Sequence, residues 1–348
     1  MTERSAPPLA GPGEPRSVVV AVDGTSADSA TLRTAILEAH HRLAPVYLIR
    51  SFPSSMGSTG SPRAVAARKA EQLAAARHLE LLRAVLVEAL PGLPVTAELT
   101  TGPLARALVE ASRTADVVVL RDARTGTSTS AIAQAVARHA WCPVLLDRSR
   151  SSSAEPDGRD PGGSTGARAD DPGGVVVGVG DPASATELLT AAVEEAALRG
   201  TGLLVVHARP TGAPVRAAPR PRPPADDPRA RSAGEQDDAA EQLLADTVDR
   251  LRAGRPGVPV EFRRVEGAPG TALVASSTGA DLLVVGRPHR TGLLPRTTTM
   301  AVDHATSAVL VVPVSSPEPG PASSRGIAQE SAPAHRLDLT APAPGTSV

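Results

Sequence analysis

Two short polar segments follow apolar runs of the chain and contain residue types that bind nucleotides and other anions. The first begins at Asp23, directly after the run VVVAV, and continues with Gly24 for a tight turn and Thr25 or Ser26 to cap a helix. A carboxylate at such a point can accept hydrogen bonds from a ribose or an adenine amino group, and the free N–H groups of a helix start can hold an anion. A strand-to-helix turn with a good cap and no ligand explains the same residues.

The second segment covers residues 286–299 and combines glycines with hydrogen-bond donors. Gly286 permits close approach of a backbone, and Gly292 permits a turn. The donors suit a phosphate chain and are Arg287, His289, Arg290, Arg296, Thr297, Thr298 and Thr299. An exposed polar loop without a ligand is the alternative. The corresponding earlier loop contains Gly126 but has Arg121 and Asp122 where a glycine would help, so it suits a nucleotide less well.

The sequence gives no support for catalytic or metal chemistry. The eight histidines include no pair at the spacing of a zinc site, and we predict no metal. His139 and His304 are interpreted as packing or capping residues near helix ends. Cys142 is the only cysteine; we expect it to be buried and unreactive, with redox sensing as the alternative. Because GxSxG, CxxC and P-loop patterns are also missing, we predict no catalytic residue and no enzyme activity.

Composition excludes two classes of partner. Lys plus Arg number 36 against 37 for Asp plus Glu, and Trp, Tyr and Phe total only four residues. A chain without excess positive charge or aromatic stacking platforms is a poor candidate for binding nucleic acid or an anionic membrane. No apolar run approaches the roughly 20 residues that span a bilayer, and the first residues lack the apolar core of a signal peptide. We therefore expect a cytoplasmic protein.

The chain contains an internal repeat. The run VVVAV at 18–22 recurs as VVVGV at 175–179, and an apolar helical stripe beginning at Leu32 recurs at Leu189, both at an offset of 157. Later matches, such as PGLPV at 91–95 with PGVPV at 256–260, share an offset of 165. The difference of eight residues indicates an insertion in the second copy, in a Pro- and Arg-rich stretch.

The repeat and the composition shifts predict the domain organisation. The two copies are connected and flanked by segments rich in Ser, Gly, Pro and Asp, which we expect to be disordered. The predicted parts are a tail at 1–15, a first domain at 16–148, a linker at 149–173, a second domain at 174–315 with a disordered insertion at 209–235, and a tail at 316–348.

Each copy alternates short apolar runs with helical patterns, which predicts an α/β fold. Continuous apolar runs such as DVVVL indicate strands buried on both faces, whereas the alternating VTAEL indicates an edge strand. The order of elements predicts two tandem, doubly wound, five-stranded parallel sheets with helices on both faces. In such folds ligands bind outside the carboxyl ends of the strands, where the winding reverses between strands one and four. The two polar segments follow those strands.

The chain resembles the universal stress protein family in its tandem two-domain form. The resemblance rests on VVVAVDGTSADSATLRTA, on the strand ADLLVVG and on RHAWCPVLL, and it extends over both copies. It implies the adenine nucleotide alpha hydrolase-like winding and a role in stress response. It also implies that the two domains pair through their last strands; whether two chains then form a homodimer, and which protein partner is bound, stays open.

The resemblance implies ATP as a cofactor, held by an aspartate after strand one and by a GxxG pattern followed by G[ST] after strand four. Asp23 and Gly286 match, but Gly180 replaces the aspartate in the second copy, His289 replaces the second glycine, and neither copy has the final G[ST]. We therefore expect a non-enzymatic regulatory stress protein with degenerate nucleotide sites. The alternatives are an adenine-nucleotide-binding protein with one working site that includes Asp23 or Gly286, and an interaction scaffold without a ligand.

Overall fold

The computed structural model describes residues 16–24, 28–52, 61–122, 127–148, 173–209, 228–289 and 292–315. Two predicted features, the tails at 1–15 and 316–348, lie outside the described residues, as does the linker apart from residue 173. Of the insertion predicted at 209–235, residues 210–227 also lie outside them.

The described residues of the first copy form five strands and four helices in strict alternation. Four of its strands contain runs of Val, Leu or Ile, the third strand alternates apolar and polar residues, and the helices between them carry apolar faces. In chain order the elements are β1 (Ser17–Ala21), α1 (Asp28–Arg42), β2 (Val46–Phe52), α2 (Pro62–Ala89), β3 (Val95–Thr101), α3 (Leu104–Ala111), β4 (Ala115–Arg121), α4 (Thr127–His139) and β5 (Val144–Asp147).

The second copy repeats this order. Its elements are β6 (Val175–Val179), α5 (Pro182–Arg199), β7 (Leu203–Arg209), α6 (Pro228–Gly254), β8 (Val260–Glu266), α7 (Pro269–Ser276), β9 (Leu282–Pro288), α8 (Arg296–His304) and β10 (Ala308–Val314). Helix α6 begins at Pro228, inside the range where composition predicts disorder. Proline is favoured at the first position of a helix, and the Arg, Ala, Glu and Gln residues that follow are good helix formers.

The ten strands of the described residues form one sheet in the order β3-β2-β1-β4-β5-β10-β9-β6-β7-β8. Within each copy the strands are parallel, with the first strand between the second and the fourth. The winding therefore reverses between β1 and β4 and between β6 and β9, as the sequence predicts. The alternating strand β3 lies at one edge. These features confirm the predicted α/β fold class.

The two copies join through their last strands. Strands β5 and β10 pair antiparallel, with Val309 opposite Leu146 and Val311 opposite Val144. The apolar edge that each copy would otherwise expose is thereby covered by the other copy. Two continuous cores, one on each face of the sheet, contain side chains from both copies.

A ring of four charged side chains closes the same junction on the α1 and α5 side. Glu38 and Arg42 of α1 occupy repeat positions equivalent to Glu195 and Arg199 of α5. The Arg42 Nη2 lies 2.5 Å from the Glu195 Oε1, and the Arg199 Nη2 lies 2.9 Å from the Glu38 Oε1. Both carboxylates are buried, so each depends on the two arginines for its counter-charge.

Candidate functional site

The candidate residues lie at the carboxyl ends of the strands, at the two places where the winding reverses. Asp23 and Gly24 follow β1, beside the end of β4. Gly180 and Asp181 follow β6, beside β9, which contains Gly286. Asp23 and Gly286 are not brought together, because β4, β5 and β10 separate β1 from β9 in the sheet.

The turn after β1 is closed by a side chain of the protein itself. The backbone N–H of Asp23 donates to the Asp28 Oδ1 over 3.2 Å, and the N–H of Gly24 donates to the Asp28 Oδ2 over 2.9 Å. Gly24 has a φ of +87°, a conformation that glycine adopts without strain. Asp23 itself is exposed, while Asp28 at the start of α1 is only 5% exposed. The amides that could hold an anion therefore already bind a carboxylate.

Two more polar side chains converge on this turn. The His78 Nε2 of α2 lies 3.3 Å from the Asp28 Oδ2. The Arg50 guanidinium at the end of β2 covers Gly24, since a Cβ placed on Gly24 would come within 2.6 Å of the Arg50 Cζ. Burial raises the pKa of Asp28 above its ordinary value, and the charge of Asp23 adds to this rise, while the bonds from the two amides and from His78 oppose it.

The equivalent turn of the second copy lacks these side chains. The repeat positions of Asp28, Arg50 and His78 are occupied by Ala185, His207 and Leu243. The His207 Nδ1 donates to the carbonyl oxygen of Val179 over 3.0 Å. Among the described residues, no heavy atom lies within 4 Å of a Cβ placed on Gly180. As far as the described residues show, the space over this turn is open, whereas Arg50 fills the space over the first turn.

Gly286 is covered by apolar side chains. A Cβ placed on Gly286 would lie 3.4 Å from the Leu188 Cδ2 and 3.5 Å from the Val314 Cγ2. Its carbonyl oxygen accepts a 2.6 Å hydrogen bond from the Thr298 hydroxyl. The N–H of His289 donates to the carbonyl oxygen of Val314 over 2.8 Å. These groups bond to the protein, and the described side chains nearest to a Cβ on Gly286 are apolar.

The end of β9 and the loop after it pack against the first copy. The buried Arg287 guanidinium donates to the carbonyl oxygen of Ala140, directly after α4. The His289 and Trp141 rings lie 6.3 Å apart, and a Cβ placed on Gly292 would lie 3.3 Å from the His139 Cε1. Burial lowers the pKa of Arg287. A cation at a helix C-terminus is stabilised by the carbonyl ends and the helix dipole, so Arg287 acts here as an interdomain cap.

The end of β4 makes a similar contact through an ion pair. Asp122 occupies the repeat position of Arg287 and binds Arg148, which follows β5; the Arg148 Nη2 lies 2.8 Å from the Asp122 Oδ2. The Arg148 Nη1 donates over 2.6 Å to the carbonyl oxygen of Ala305, directly after α8. Both side chains of the pair are almost fully buried. The second copy therefore holds the first through Arg287 at the end of its fourth strand, and the first copy holds the second through Arg148, whose guanidinium Asp122 binds.

The remaining candidates are distributed as follows. Thr25, Ser26, Gly126 and Arg290 lie outside the described residues.

Cys142 is buried, as expected, and burial raises the pKa of its thiol to about 12. The described residues contain no group of three or more His, Cys, Asp or Glu side chains that could hold a metal ion. Within the same residues, no helix has the length and apolarity needed to cross a membrane.

Four residues of this region were missed by pattern reasoning: Asp28, Arg50, His78 and Arg148. Motif searches do not find them, because Asp28, Arg50 and His78 come from separate segments that meet only in the folded chain. Arg148 likewise reaches its partners, Asp122 and the end of α8, only through the fold. One signal was present in the sequence. Alignment of the two copies pairs Asp28 with Ala185, and a charged residue opposite an alanine at a helix start marks a difference between the two turns.

Comparisons with known proteins agree with this architecture. The model of the universal stress protein family matches residues 15–148 and 174–313. A universal stress protein of Mycolicibacterium smegmatis is 27% identical over 314 residues, which cover 85% of this chain and 96% of that protein. The crystal structure of a universal stress protein from Archaeoglobus fulgidus matches with a TM-score of 0.56 at 12% identity. The match covers 86% of this chain and 97% of that one and shows a similarity of fold.

Proposed function

The chain belongs to the universal stress protein family, and from that premise we propose that it is a non-enzymatic regulatory protein of the stress response with degenerate nucleotide sites. The observation that carries the proposal is the contact of Arg287 with the carbonyl oxygen of Ala140. It commits the end of β9, where a phosphate loop would begin, to the junction between the copies. The apolar cover over Gly286 supports the same conclusion.

In this role the two fused copies act as one rigid pair. The β5–β10 pairing, the ring of Glu38, Arg42, Glu195 and Arg199, and the two strand-end contacts all connect the first copy with the second. Such a pair offers fixed surfaces to a protein partner. It needs no ligand to hold its two halves together.

A thermal-shift titration with ATP, ADP, AMP and cyclic AMP tests the proposal on the wild-type chain and on Asp23→Ala and Gly286→Val. We expect no nucleotide to change the melting temperature of the wild type, and no release of phosphate from ATP above the buffer rate. A ligand at a hundredfold excess over its dissociation constant stabilises the folded state by about 2.7 kcal/mol. A saturable shift of that size, lost in either variant, would refute the ligand-free role.

One observation favours a second candidate, an adenine-nucleotide-binding protein with a single working site in the second copy. The space over Gly180 is open within the described part of the chain, and Ala185 stands in the adjacent helix at the position that Asp28 occupies in the first copy. The same titration separates the two candidates. A stabilisation by ATP that survives Asp23→Ala but is lost in Gly286→Val would favour this second one.

A further inference from the structure

The long helix α2 carries large apolar side chains on the side that faces solvent. It buries Leu79 and Leu86, while Leu73, Leu81 and Val85 are each more than half exposed. We call the side opposite the buried residues the outer face of α2. Its exposed residues are Ala66, Lys69, Ala70, Leu73, Arg77, Glu80, Leu81, Ala84, Val85 and Glu88. Large apolar side chains grouped on one exposed helix face are typical of an interaction surface.

The repeat shows that the fold does not require this apolar surface. At the offset of 165 that aligns α2 with α6, Leu81 and Val85 correspond to Asp246 and Arg250. Both of these charged residues are exposed on α6. The same helix of the same fold therefore accepts charges at these positions. The apolar residues of α2 are accordingly explained by an interaction of the first copy rather than by the folding of the helix.

The charges of the outer face are separated along the helix. Lys69 and Arg77 precede Glu80 and Glu88, so the positive charges lie toward the amino end and the negative charges toward the carboxyl end. An α2 helix of a partner chain, laid antiparallel on the first, places Lys69 opposite Glu88 and Arg77 opposite Glu80. Because the arrangement is two-fold symmetric, each of these pairs occurs twice. A parallel arrangement would place like charges together, which is unfavourable at an interface.

The sizes of the apolar residues fit the same antiparallel alignment. It places Leu81 of one chain over Ala76 of the other, and Leu73 over Ala84, so that large side chains lie opposite small ones. A shallow groove is already present at the centre of the alignment. The residues that line it are Ala76, Arg77, Glu80 and Leu81. Charge, side-chain size and surface shape therefore all favour one alignment.

We propose that two chains associate as a homodimer through antiparallel pairing of their α2 helices, about a two-fold axis between residues 78 and 79. Helix α2 packs against β2 and β3, at the β3 edge of the sheet, so this interface leaves the β5–β10 junction intact. The helix has 28 residues and is about 42 Å long. A single pair of such helices lies at the low end of specific interface sizes, so we expect a weak dimer with a micromolar dissociation constant. The association goes beyond the proposed function and does not depend on nucleotide binding.

Sedimentation velocity over a concentration series of the full chain tests the proposal. We expect the average mass of the wild type to rise with concentration toward twice that of the monomer. Leu81→Asp introduces two charges at the centre of the dimer and should raise the dissociation constant by about tenfold or more. Leu243→Asp is the matched control, because Leu243 is 55% exposed on α6, outside the proposed interface. It should keep the wild-type dissociation constant.

A charge exchange tests the antiparallel alignment itself. Arg77→Glu places a glutamate opposite Glu80 of the partner chain and should weaken the dimer by about tenfold. The double variant Arg77→Glu with Glu80→Arg re-forms the pair in the opposite sense and should restore the wild-type dissociation constant. Both positions are exposed, so these variants decide the question if Leu81→Asp fails to fold.

Three results would overturn the proposal. A wild type that stays monomeric up to about 1 mM would leave the outer face of α2 to a different occupant. Equal weakening by Leu81→Asp and Leu243→Asp would show that the added charge, and not the α2 surface, governs association. Failure of the double variant to recover the loss caused by Arg77→Glu would contradict the antiparallel pairing.

Discussion

Replacement of Arg148 by alanine should destabilise the whole chain, although Arg148 is the last described residue of the first copy. The side chain is 3% exposed and binds Asp122, which is 5% exposed. It also donates to carbonyl oxygens at the end of α8, including those of Ala305 and Val302. The variant therefore leaves a buried carboxylate and several buried carbonyl groups without their donor.

The expected loss in free energy of unfolding is about 3–5 kcal/mol, the usual cost of removing one partner of a buried ion pair. Asp122→Ala should cost less, because the Arg148 guanidinium keeps its bonds to the α8 carbonyl groups. Arg83→Ala is the matched control, since its partner Glu80 is 60% exposed and Arg83 itself is 40% exposed. An exposed pair of this kind contributes about 1 kcal/mol or less.

Urea unfolding followed by circular dichroism measures the three free energies. The structural argument requires the order Arg148→Ala, then Asp122→Ala, then Arg83→Ala, from the largest loss to the smallest. If Arg148→Ala unfolded within about 1 kcal/mol of the wild type, as a surface pair does, the interdomain contact would not have the energetic role assigned to it.

Three further predictions use single groups as probes. Burial raises the pKa of Tyr47, the only tyrosine, so the tyrosinate absorbance of the folded chain should appear only above the ordinary pKa of about 10. The free energy of unfolding should fall as the pH rises past that value, because the unfolded chain loses this proton more readily. Titration of Tyr47 at the ordinary pKa in the folded chain would contradict the prediction. Cys142, with its raised thiol pKa of about 12, should react with a thiol reagent at pH 8 only on unfolding, and rapid native labelling would refute its burial. Gly178→Ala should lower the free energy of unfolding by about 1–3 kcal/mol, because its Cβ would lie 2.7 Å from the Leu273 Cδ2. Gly254→Ala is the control and should leave that free energy unchanged, because its Cβ would meet nothing within 4 Å among the described residues. Equal losses in a denaturation experiment would contradict the packing argument.

The architecture was predictable because it depends on local patterns. Continuous apolar runs such as VVVAV and DVVVL can be satisfied only by strands covered on both faces, and they form β1 and β4 in the interior of the sheet. The alternating VTAEL can face solvent on one side, and it forms the edge strand β3. The repeat then supplied the second copy.

The details of the site were less predictable because they depend on long-range partners. Arg148 immediately precedes a predicted linker, and nothing local shows that its guanidinium reaches the end of α8. The position of Arg287 after the apolar residues of β9 predicts a phosphate ligand, but its guanidinium donates to a carbonyl oxygen of the other copy. Sequence patterns give the position of a charged residue along the chain, whereas its role depends on which groups the fold brings to it.

Isothermal titration of the wild-type chain with ATP and Mg²⁺ tests the central claim most directly. The Asp28 carboxylate closes the first turn, and the end of β9 is committed to the junction in the second copy. We therefore predict no saturable heat of binding. Saturable binding of ATP, at either one or two molecules per chain, would contradict the proposal that both nucleotide sites are degenerate.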